Sequence, residues 1–331
     1  MVKILVIRFS SIGDIVLTTP AIRCLKQQIP NASVFLATKW DFRLVTASNP
    51  NIDGFVYLRD DFNAFVEECR SQDFDIIVDL HNNYRSARLC RSLGLPSYTV
   101  NKLNTEKFML TALKMDVMPD SHFTFRCLET IKPLGVTDDG LGLDYFIPET
   151  DRIKEDDLPM SHRLGYIALV IGATHATKRM PADKWKELAV GIRHPVVLLG
   201  GPGDKAMGEQ IVVVDPVKIY NACGKFNINE SADLVRHARF VISHDTGLMH
   251  IAAAFQKPII AVWGNTDPRL GMYPYYGKYS KQKYWNAEVK LWCRPCSKIG
   301  FTRCPLIYFG CMNNQDIPAM IYTVHKELGI R

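Results

Sequence analysis

Consecutive apolar residues recur along the first half of the chain in short runs that have the length of a β-strand. The sequence between these runs is polar or has the spacing of a helix, as in residues 62–71 and in the segment from residue 14 to residue 25. Unbroken apolar runs are typical of strands that a parallel sheet buries on both faces. Their alternation with helical segments predicts a doubly wound α/β half. The predicted strands are residues 3–8, 33–37, 54–57 and 75–80.

The second half repeats this pattern. Strands are predicted at residues 166–171, 195–199, 240–243 and 258–263, and helices at residues 182–192, 206–212, 231–237 and 248–254. A charged stretch with proline at both ends, residues 148–159, is the best linker candidate. We therefore predict an N-terminal domain over residues 1–155 and a second Rossmann-like domain over residues 156–315. A final helix is predicted within residues 316–331, and the pattern does not assign it to either domain.

Composition narrows the class of protein. With 47% hydrophobic and 22% charged residues the chain has the make-up of a folded globular protein, which excludes disorder. No run approaches the roughly 18 apolar residues of a membrane helix, and the start lacks the features of a signal peptide, so we expect a cytoplasmic protein. The net charge of +6 comes from basic residues spread along the chain. This distribution suits an anionic substrate or membrane surface and does not favour nucleic acid.

The nine cysteines fall into two groups. Five stand singly in apolar or helical sequence and are predicted to be buried thiols of a reducing compartment. The other four lie close together near the end of the chain, where they either bind a structural zinc ion or pack a long loop as thiols. These four are Cys293, Cys296, Cys304 and Cys311.

The loop after the first predicted strand, residues 10–14, lies where ligands of open α/β sheets gather. Gly13 allows the backbone to turn sharply there, and Ser11 precedes the turn. Asp14 either caps the following helix or acts as a carboxylate base. The loop lacks the G-x-G-x-x-G pattern, which disfavours binding of a nicotinamide dinucleotide. Residues 79–86 end another strand, and they either meet the acceptor or form a plain loop with an asparagine starting a helix.

Three loops of the second half are candidate ligand-binding segments. Thr174 and Lys178 follow the first strand, where they either cradle phosphate or belong to a solvated loop. Asp204 ends a glycine-rich turn and either accepts ribose hydroxyls or closes the turn. Most distinctive is Asp-Thr-Gly at residues 245–247, because the N–H groups and dipole of a starting helix favour an anion. His250 lies one turn further along that helix.

Four motifs occur in one order along the chain: Gly-Asp at residues 13–14, Lys-x-x-Pro at residues 178–181, Asp-Thr-Gly-x-x-His-x-Ala-Ala-Ala at residues 245–254 and Gly-Asn-Thr-Asp-Pro at residues 264–268. The ordered set resembles glycosyltransferase family 9, the ADP-heptose:lipopolysaccharide heptosyltransferases, over nearly the whole chain. The resemblance implies the GT-B architecture, in which two Rossmann-like doubly wound domains face each other across a cleft, the first binding the acceptor and the second the nucleotide-sugar donor.

The resemblance also implies roles for individual residues. The general base matches Asp14, and Ser11 and Gly13 support its loop. Asp204 falls at the ribose contact and Phe226 at the adenine contact, where an aliphatic residue is more typical. Met180 stands where the family usually has tryptophan. The implied donor-binding residues are Thr174, Lys178, Asp204, Phe226, Asp245, Thr246, Gly247 and His250.

The function implied is an inverting transfer of heptose from ADP-heptose to the inner core of lipopolysaccharide, with no metal or cofactor. The expected partners are the nucleotide-sugar donor and a lipid-linked anionic saccharide, with no nucleic acid. Peripheral contact with the inner face of the inner membrane is compatible with such an acceptor. The alternatives are a glycosyltransferase with another nucleotide-sugar donor, a non-catalytic nucleotide-sugar-binding protein and, despite the missing glycine pattern, a dinucleotide-dependent oxidoreductase.

Overall fold

The structure of the protein is a computed structural model, and it describes residues 2–330. The chain divides into two compact units, each assembled from separate stretches of sequence. The first unit comprises Met1–Leu103, Ser121–Phe146 and Tyr276–Ser280. The second comprises Asn104–Asp120, Ile147–Tyr275 and Lys281–Arg331.

The first unit contains one sheet of five strands, β1 (Val2–Ile7), β2 (Ala32–Lys39), β3 (Gly54–Leu58), β4 (Ile76–Asp79) and β5 (Ser97–Thr99). All are parallel and lie in the order β3-β2-β1-β4-β5. Strand β1 is central, and its residues from Ile4 to Ile7 are fully buried, as expected for a strand covered on both faces. The strand order reverses between β1 and β4, which makes the carboxyl ends of these two strands the topological switch point.

The second unit contains a sheet of six strands, β6 (Ile167–Val170), β7 (Val196–Leu199), β8 (Ile219–Asn221), β9 (Phe240–His244), β10 (Ile259–Trp263) and β11 (Tyr284–Glu288). These strands are also all parallel, in the order β11-β10-β9-β6-β7-β8. The order is that of a Rossmann sheet, with its switch point between β6 and β9.

α-Helices connect the strands in sequence except β10 and β11, which are joined by a long connection with one 3-10 turn, Pro268–Leu270. The last helix packs in the second unit, where Ile321 lies against Gly191 and the His325 ring accepts a hydrogen bond from the N–H of Arg193 at 3.1 Å. No helix among residues 2–330 is long and apolar enough to span a membrane. The helices are α1 (Ile12–Leu17), α2 (Thr19–Gln28), α3 (Arg43–Thr46), α4 (Phe62–Ser71), α5 (Tyr84–Leu93), α6 (Asn104–Phe108), α7 (Phe123–Ile131), α8 (Ala182–Gly191), α9 (Lys205–Val212), α10 (Ile228–His237), α11 (Gly247–Ala254), α12 (Gly310–Asn313) and α13 (Ile317–Leu328).

The predicted α/β fold is confirmed, and each predicted strand falls on an observed one. Strands β5, β8 and β11 were not predicted, because each is short or mixes exposed with half-buried positions and so lacks an unbroken apolar run. The predicted helical segment that ends at residue 25 is interrupted at Thr18, which ends α1 and caps α2. Pro20 lies in the first turn of α2, a position where its missing N–H costs no hydrogen bond.

Candidate active site

Asp14 lies at the switch point of the first unit, in the third position of α1, with Ser11 as the N-cap. Its Oδ2 atom accepts hydrogen bonds from the Ser11 hydroxyl at 2.7 Å and from the Ser11 N–H at 3.1 Å. The residue therefore completes a capping box from inside the helix and is not itself the N-cap. Its side chain is 23% exposed, so the carboxylate is both held and reachable.

Arg8 fixes the other carboxylate oxygen. This residue follows β1 and is buried, and its Nη2 atom lies 2.6 Å from Asp14 Oδ1. The remaining donors of the guanidinium bind the carbonyl oxygens of Ser10 at 2.8 Å and Leu80 at 2.6 Å. A guanidinium with this many fixed partners has one orientation, and it therefore sets the orientation of the carboxylate.

A second polar group lies beside this pair, at the end of β4. Asp79 is buried and accepts hydrogen bonds from the N–H groups of His81 and Asn82 and from the Ser86 hydroxyl. Burial, followed by the charges of Arg8 and Lys102, lowers the pKa of His81 to about 3. The imidazole is therefore neutral at physiological pH. An asparagine does start the helix in residues 79–86: the Asn83 side chain accepts a hydrogen bond from the N–H of Ser86 and caps α5.

In the second unit, Lys178 and Asp245 come together at the switch point between β6 and β9. Lys178 Nζ donates to Asp245 Oδ2 at 2.6 Å and to the Asp245 carbonyl oxygen at 3.2 Å. The hydroxyl of Thr266, from the loop after β10, donates to the same carboxylate oxygen at 3.1 Å. The two side chains of the pair are 15% and 12% exposed. Three separate loops thus fix one ammonium group at the carboxyl edge of the sheet.

Helix α11 begins beside this ion pair. Thr246 is its N-cap in an extended conformation, and Gly247 is its first residue. The Thr246 hydroxyl lies 3.2 Å from the Ser243 hydroxyl, and His250 is buried one turn further on. The N-terminal turn of a helix presents N–H groups and partial positive charge. With the adjacent Lys178 ammonium, this edge of the sheet favours an anion.

Asp204 is buried at the next strand of the same edge. Its Oδ2 accepts a hydrogen bond from the Gly201 N–H at 2.9 Å, and its Oδ1 lies 3.4 Å from an Arg179 nitrogen. A Cβ atom at Gly172 would lie 2.3 Å from Asp204 Oδ2, and one at Gly200 would lie 2.8 Å from Asp204 Cβ. Glycine is therefore needed at both positions to leave room for this carboxylate.

Of the remaining predicted donor residues, Thr174 lies earlier on the same loop as Lys178, and Phe226 lies on another loop. Thr174 is exposed after β6, and Phe226 is half-buried between β8 and α10. Across the described chain, no hydrogen bond or ion pair joins either of them to Lys178 or Asp245. The structure thus brings together Lys178, Asp245 and Thr246, and leaves the other two side chains at separate points of the sheet edge.

Met180 is a core residue. Its side chain is fully buried, and its N–H donates to His244 Nε2 at 2.9 Å. Burial lowers the pKa of His244 to about 3, so the ring is neutral and carries its proton on Nδ1. Trp185 packs edge-on against this ring at 5.2 Å between centroids. Met180 therefore contributes to the core packing beside His244.

Residues 62–303 match the sequence model of glycosyltransferase family 9, described as heptosyltransferase. The chain belongs to glycosyltransferase family 9. It is 25% identical over 308 residues to lipooligosaccharide heptosyltransferase 2 of Haemophilus influenzae, which covers 81% of this chain and 84% of that protein. It is also 25% identical to lipopolysaccharide heptosyltransferase 3 of Escherichia coli, over 77% of this chain and 80% of that protein.

The solved structures agree on the fold. The Escherichia coli ADP-heptose lps heptosyltransferase II superposes with a TM-score of 0.71 over 98% of both chains at 18% identity. A glycosyl transferase of family 9 from Veillonella parvula gives the same TM-score at 24% identity, over 87% of this chain and 88% of that one. The protein is thus a glycosyltransferase with the GT-B fold, and the predicted family and enzyme class are confirmed.

Two residues that hold candidate side chains in place, one in each unit, were not singled out from the sequence. Arg8 ends an apolar run and has the sequence appearance of an ordinary strand end. Thr266 lies within the Gly-Asn-Thr-Asp-Pro motif, yet its bond to Asp245 joins loops that are distant in sequence. A charged residue that ends a fully apolar strand is the one sequence signal that points to Arg8, because buried charges are rare unless they are paired.

The cysteine loop, residues 289–309, follows β11 and contacts the loops after β6 and β10. Arg294 donates to the carbonyl oxygens of Gly264 at 2.6 Å and Thr266 at 3.1 Å. Further along, the N–H of Phe301 donates to the Thr177 hydroxyl at 2.8 Å, next to Lys178. This long loop therefore has a fixed path along the two loops that position the Lys178–Asp245 pair.

The four clustered cysteines line one cavity, together with Thr177 and Asn265. Burial raises the pKa of Cys296 and raises that of Cys311 to about 12, so both remain thiols at neutral pH. Within residues 2–330, no group of three or more histidine, cysteine, aspartate or glutamate side chains is arranged to hold a metal ion. Cys311 packs in the core of the second unit, and the Cys293 Sγ atom lies 3.3 Å from the Tyr308 hydroxyl.

Proposed function

We propose that this glycosyltransferase moves heptose from ADP-heptose to the inner core of lipopolysaccharide, with inversion at the anomeric carbon. The relatives named above are lipopolysaccharide or lipooligosaccharide heptosyltransferases, which supports the donor and the acceptor class. The observation that carries the proposal is that the two units hold complementary charged groups at their switch points. The first unit holds a reachable carboxylate at its switch point, and the second holds a cation beside a helix start.

The second unit binds the donor in this proposal. The Lys178 ammonium and the N-terminal turn of α11 bind the diphosphate. Asp245 keeps the lysine oriented when no donor is bound. Thr174 adds a hydroxyl to the phosphate site, and Asp204 accepts the ribose hydroxyls. Phe226 packs against adenine, and Thr246, Gly247 and His250 complete the set at α11.

The first unit supplies the base. Asp14 takes the proton of an acceptor hydroxyl as that oxygen forms its bond to the anomeric carbon, while the carbon–oxygen bond to ADP breaks and ADP leaves with the electron pair. A single displacement inverts the configuration. Lys178 and the helix start stabilise the negative charge that develops on the leaving diphosphate, which is where the transition state needs the protein most. Arg8 acts as a positioning residue, because it holds Asp14 Oδ1.

The acceptor in this proposal is a lipid-linked anionic saccharide at the cytoplasmic face of the inner membrane. Basic side chains of the first unit are available to bind its phosphates or carboxylates. Arg59 lies 4.3 Å above the Trp40 ring, and Lys102 donates to the His81 carbonyl oxygen at 2.7 Å, close to the Arg8–Asp14 pair. Arg85 and Arg88 lie on α5, which follows β4.

Calorimetric titration with ADP-heptose, and with ADP, UDP, GDP and NAD as comparators, tests the donor. We expect clear preference for the ADP-linked sugar. Preference for UDP or GDP would indicate another nucleotide-sugar donor, and preference for NAD would contradict the proposal. Mass spectrometry of a heptose-deficient lipopolysaccharide acceptor after incubation with ADP-heptose tests the transfer itself. Tight donor binding without any mass increase would favour a non-catalytic binding protein.

A further inference from the structure

Large apolar side chains are exposed at unusual density in two segments of the second unit, the cysteine loop and residues 104–120. Ten of the 23 large hydrophobic side chains exposed within the described residues lie there. Trp292 is 77% exposed and Ile307 is 90% exposed. Single exposed apolar residues are ordinary, whereas a contiguous exposed group marks a surface that binds something. The ten are Phe108, Leu113, Met115, Val117, Trp292, Ile299, Phe301, Leu306, Ile307 and Tyr308.

The two segments contact each other. Lys114 Nζ donates to the carbonyl oxygens of Cys293 at 2.9 Å and Pro295 at 2.6 Å. Lys298 Nζ donates to the side-chain oxygen of Asn104 at 3.3 Å. The exposed apolar residues therefore belong to one structural neighbourhood.

Hydrogen bonds to neighbouring loops hold the cysteine loop in place beneath its exposed apolar side chains. The bonds of Arg294 to the Gly264 and Thr266 carbonyl oxygens and of Phe301 to Thr177 hold it at two points. Because the backbone is committed to these partners, inward rotation of the whole loop would cost several buried hydrogen bonds. The exposed Trp292 and Ile299 lie within two residues of these two anchoring points.

The charge of the same loop is of one sign. Residues 289–309 contain four basic residues and no aspartate or glutamate, whereas residues 104–120 contain two lysines and three acidic residues, Glu106, Asp116 and Asp120. Arg294 is buried, whereas Lys290, Lys298 and Arg303 are exposed among the apolar side chains. Tryptophan and tyrosine together with lysine and arginine are typical of surfaces that enter the headgroup region of an anionic bilayer. Protein–protein interfaces, in contrast, are depleted in lysine.

We propose that the cysteine loop, with residues 104–120 beside it, docks on the surface of an anionic phospholipid bilayer. The exposed apolar side chains enter the headgroup boundary, and Lys290, Lys298 and Arg303 pair with lipid phosphates. The same loop holds Thr177 and Thr266, so docking places the donor-side loops next to the membrane surface. The inference rests on the exposed surface alone and remains testable if the proposed donor and acceptor are wrong.

Vesicle sedimentation with the full chain tests the proposal. We expect the wild-type protein to sediment with vesicles of equal parts phosphatidylglycerol and phosphatidylcholine, and not with vesicles of pure phosphatidylcholine. The double variant Trp292→Ser/Ile307→Ser should lose about tenfold or more in partition, because it removes two exposed apolar groups from the contact. The matched control is Leu164→Ser, since Leu164 is 96% exposed in the same unit but lies outside both segments. Equal sedimentation of all three proteins would overturn the proposal.

Charge and fluorescence give independent readings. Lys298→Glu/Arg303→Glu should weaken binding to the anionic vesicles, and added salt should weaken binding of the wild type. Tryptophan emission of the wild type should shift to shorter wavelength on vesicle addition, and Trp292→Phe should bind with that shift reduced. If the serine double variant instead changes the oligomeric state without lipid, as measured by light scattering, the surface is an interface between copies and the membrane proposal is wrong.

Discussion

The two units use the same sheet winding but place their charges differently. In the first unit, both members of the ion pair come from one strand end, since Arg8 and Asp14 flank the loop after β1. In the second unit, the pair is formed across the switch point, with Lys178 after β6 and Asp245 after β9. The first pair is thus set by local sequence, whereas the second depends on the assembled sheet.

The Arg8–Asp14 and Lys178–Asp245 ion pairs differ in how their side chains are exposed to solvent. The side chain of Arg8 is 4% exposed and that of Asp14 is 23% exposed, so the carboxylate is the group that a substrate can reach. Lys178 and Asp245 are more nearly equal, at 15% and 12%, and a helix start adds positive character beside them. In the proposed function, the same topology therefore provides the base in one unit and the phosphate site in the other.

The largest effect is expected from Asp14→Asn. The amide keeps the size of the side chain but cannot accept the acceptor's proton, so kcat should fall about 10³-fold while affinity for ADP stays near wild type. Asp61→Asn is the matched control, because Asp61 caps α4 through two backbone N–H groups and asparagine caps equally well. Initial rates and calorimetry measure the two quantities. Near wild-type turnover of the Asp14 variant would show that Asp14 is not the base, and the proposed difference in function between the units would be wrong.

Lys178→Ala tests the second unit, where the lysine is proposed to bind the diphosphate. Loss of a charged hydrogen-bond donor to the diphosphate should weaken ADP binding by about 10- to 100-fold, and turnover should fall as well. Lys184→Ala serves as control, since Lys184 also forms an ion pair, but on the exposed surface of α8 with Glu187. Calorimetry with ADP separates the variants. An unchanged ADP affinity in Lys178→Ala would exclude the lysine from the phosphate site.

Substitutions at two glycines on neighbouring loops test whether Asp204 binds the ribose. Gly172→Ala places a methyl group 2.3 Å from Asp204 Oδ2 and displaces this carboxylate, whereas a methyl group at Gly203 meets nothing within 4 Å. If Asp204 binds ribose, Gly172→Ala should reduce ADP affinity by about tenfold, and Gly203→Ala should have little effect. Titration with ADP and with pyrophosphate measures this. Similar loss for pyrophosphate would place the damage at the phosphates and contradict the ribose assignment.

The sequence was sufficient for features that depend on local pattern. Unbroken apolar runs located eight strands, and helix-start chemistry located the Thr246–Gly247 turn. It was insufficient where the pattern is weak or the contact is distant. Strand β11 reads Tyr-Trp-Asn-Ala-Glu, which mixes polar and aromatic residues and forms a strand only through pairing with β10.

The candidate site divides in the same way. Lys178 and Asp245 were found from motifs, but their ion pair spans two strand ends and becomes visible only in the folded sheet. Arg8 was missed although it is close to Asp14 in sequence. Its function depends on burial, which removes it from solvent and leaves the Asp14 carboxylate and two carbonyl oxygens as its partners.

The smallest expected effect concerns one buried histidine in each unit, His81 and His244, whose pKa values are both lowered to about 3. In the unfolded chain a histidine has a pKa of about 6.5, so below that pH the unfolded state binds a proton that the folded state does not. Stability is then complete above about pH 6.5 and is lost as the pH falls toward 3. Between pH 7.5 and 5.5, each histidine should cost about 1 kcal/mol of unfolding free energy.

Urea unfolding at these two pH values, followed by tryptophan fluorescence, measures the loss. The pKa values of His162 and His194 are also lowered, so the informative quantity is the change in pH dependence between variants. In His244→Gln the amide oxygen can accept the Met180 N–H in place of Nε2, and nothing titrates there. We expect this variant and His81→Gln each to lose about 1 kcal/mol of the pH dependence. If only one does, the two switch points differ in the burial of their histidines as well as in their charges.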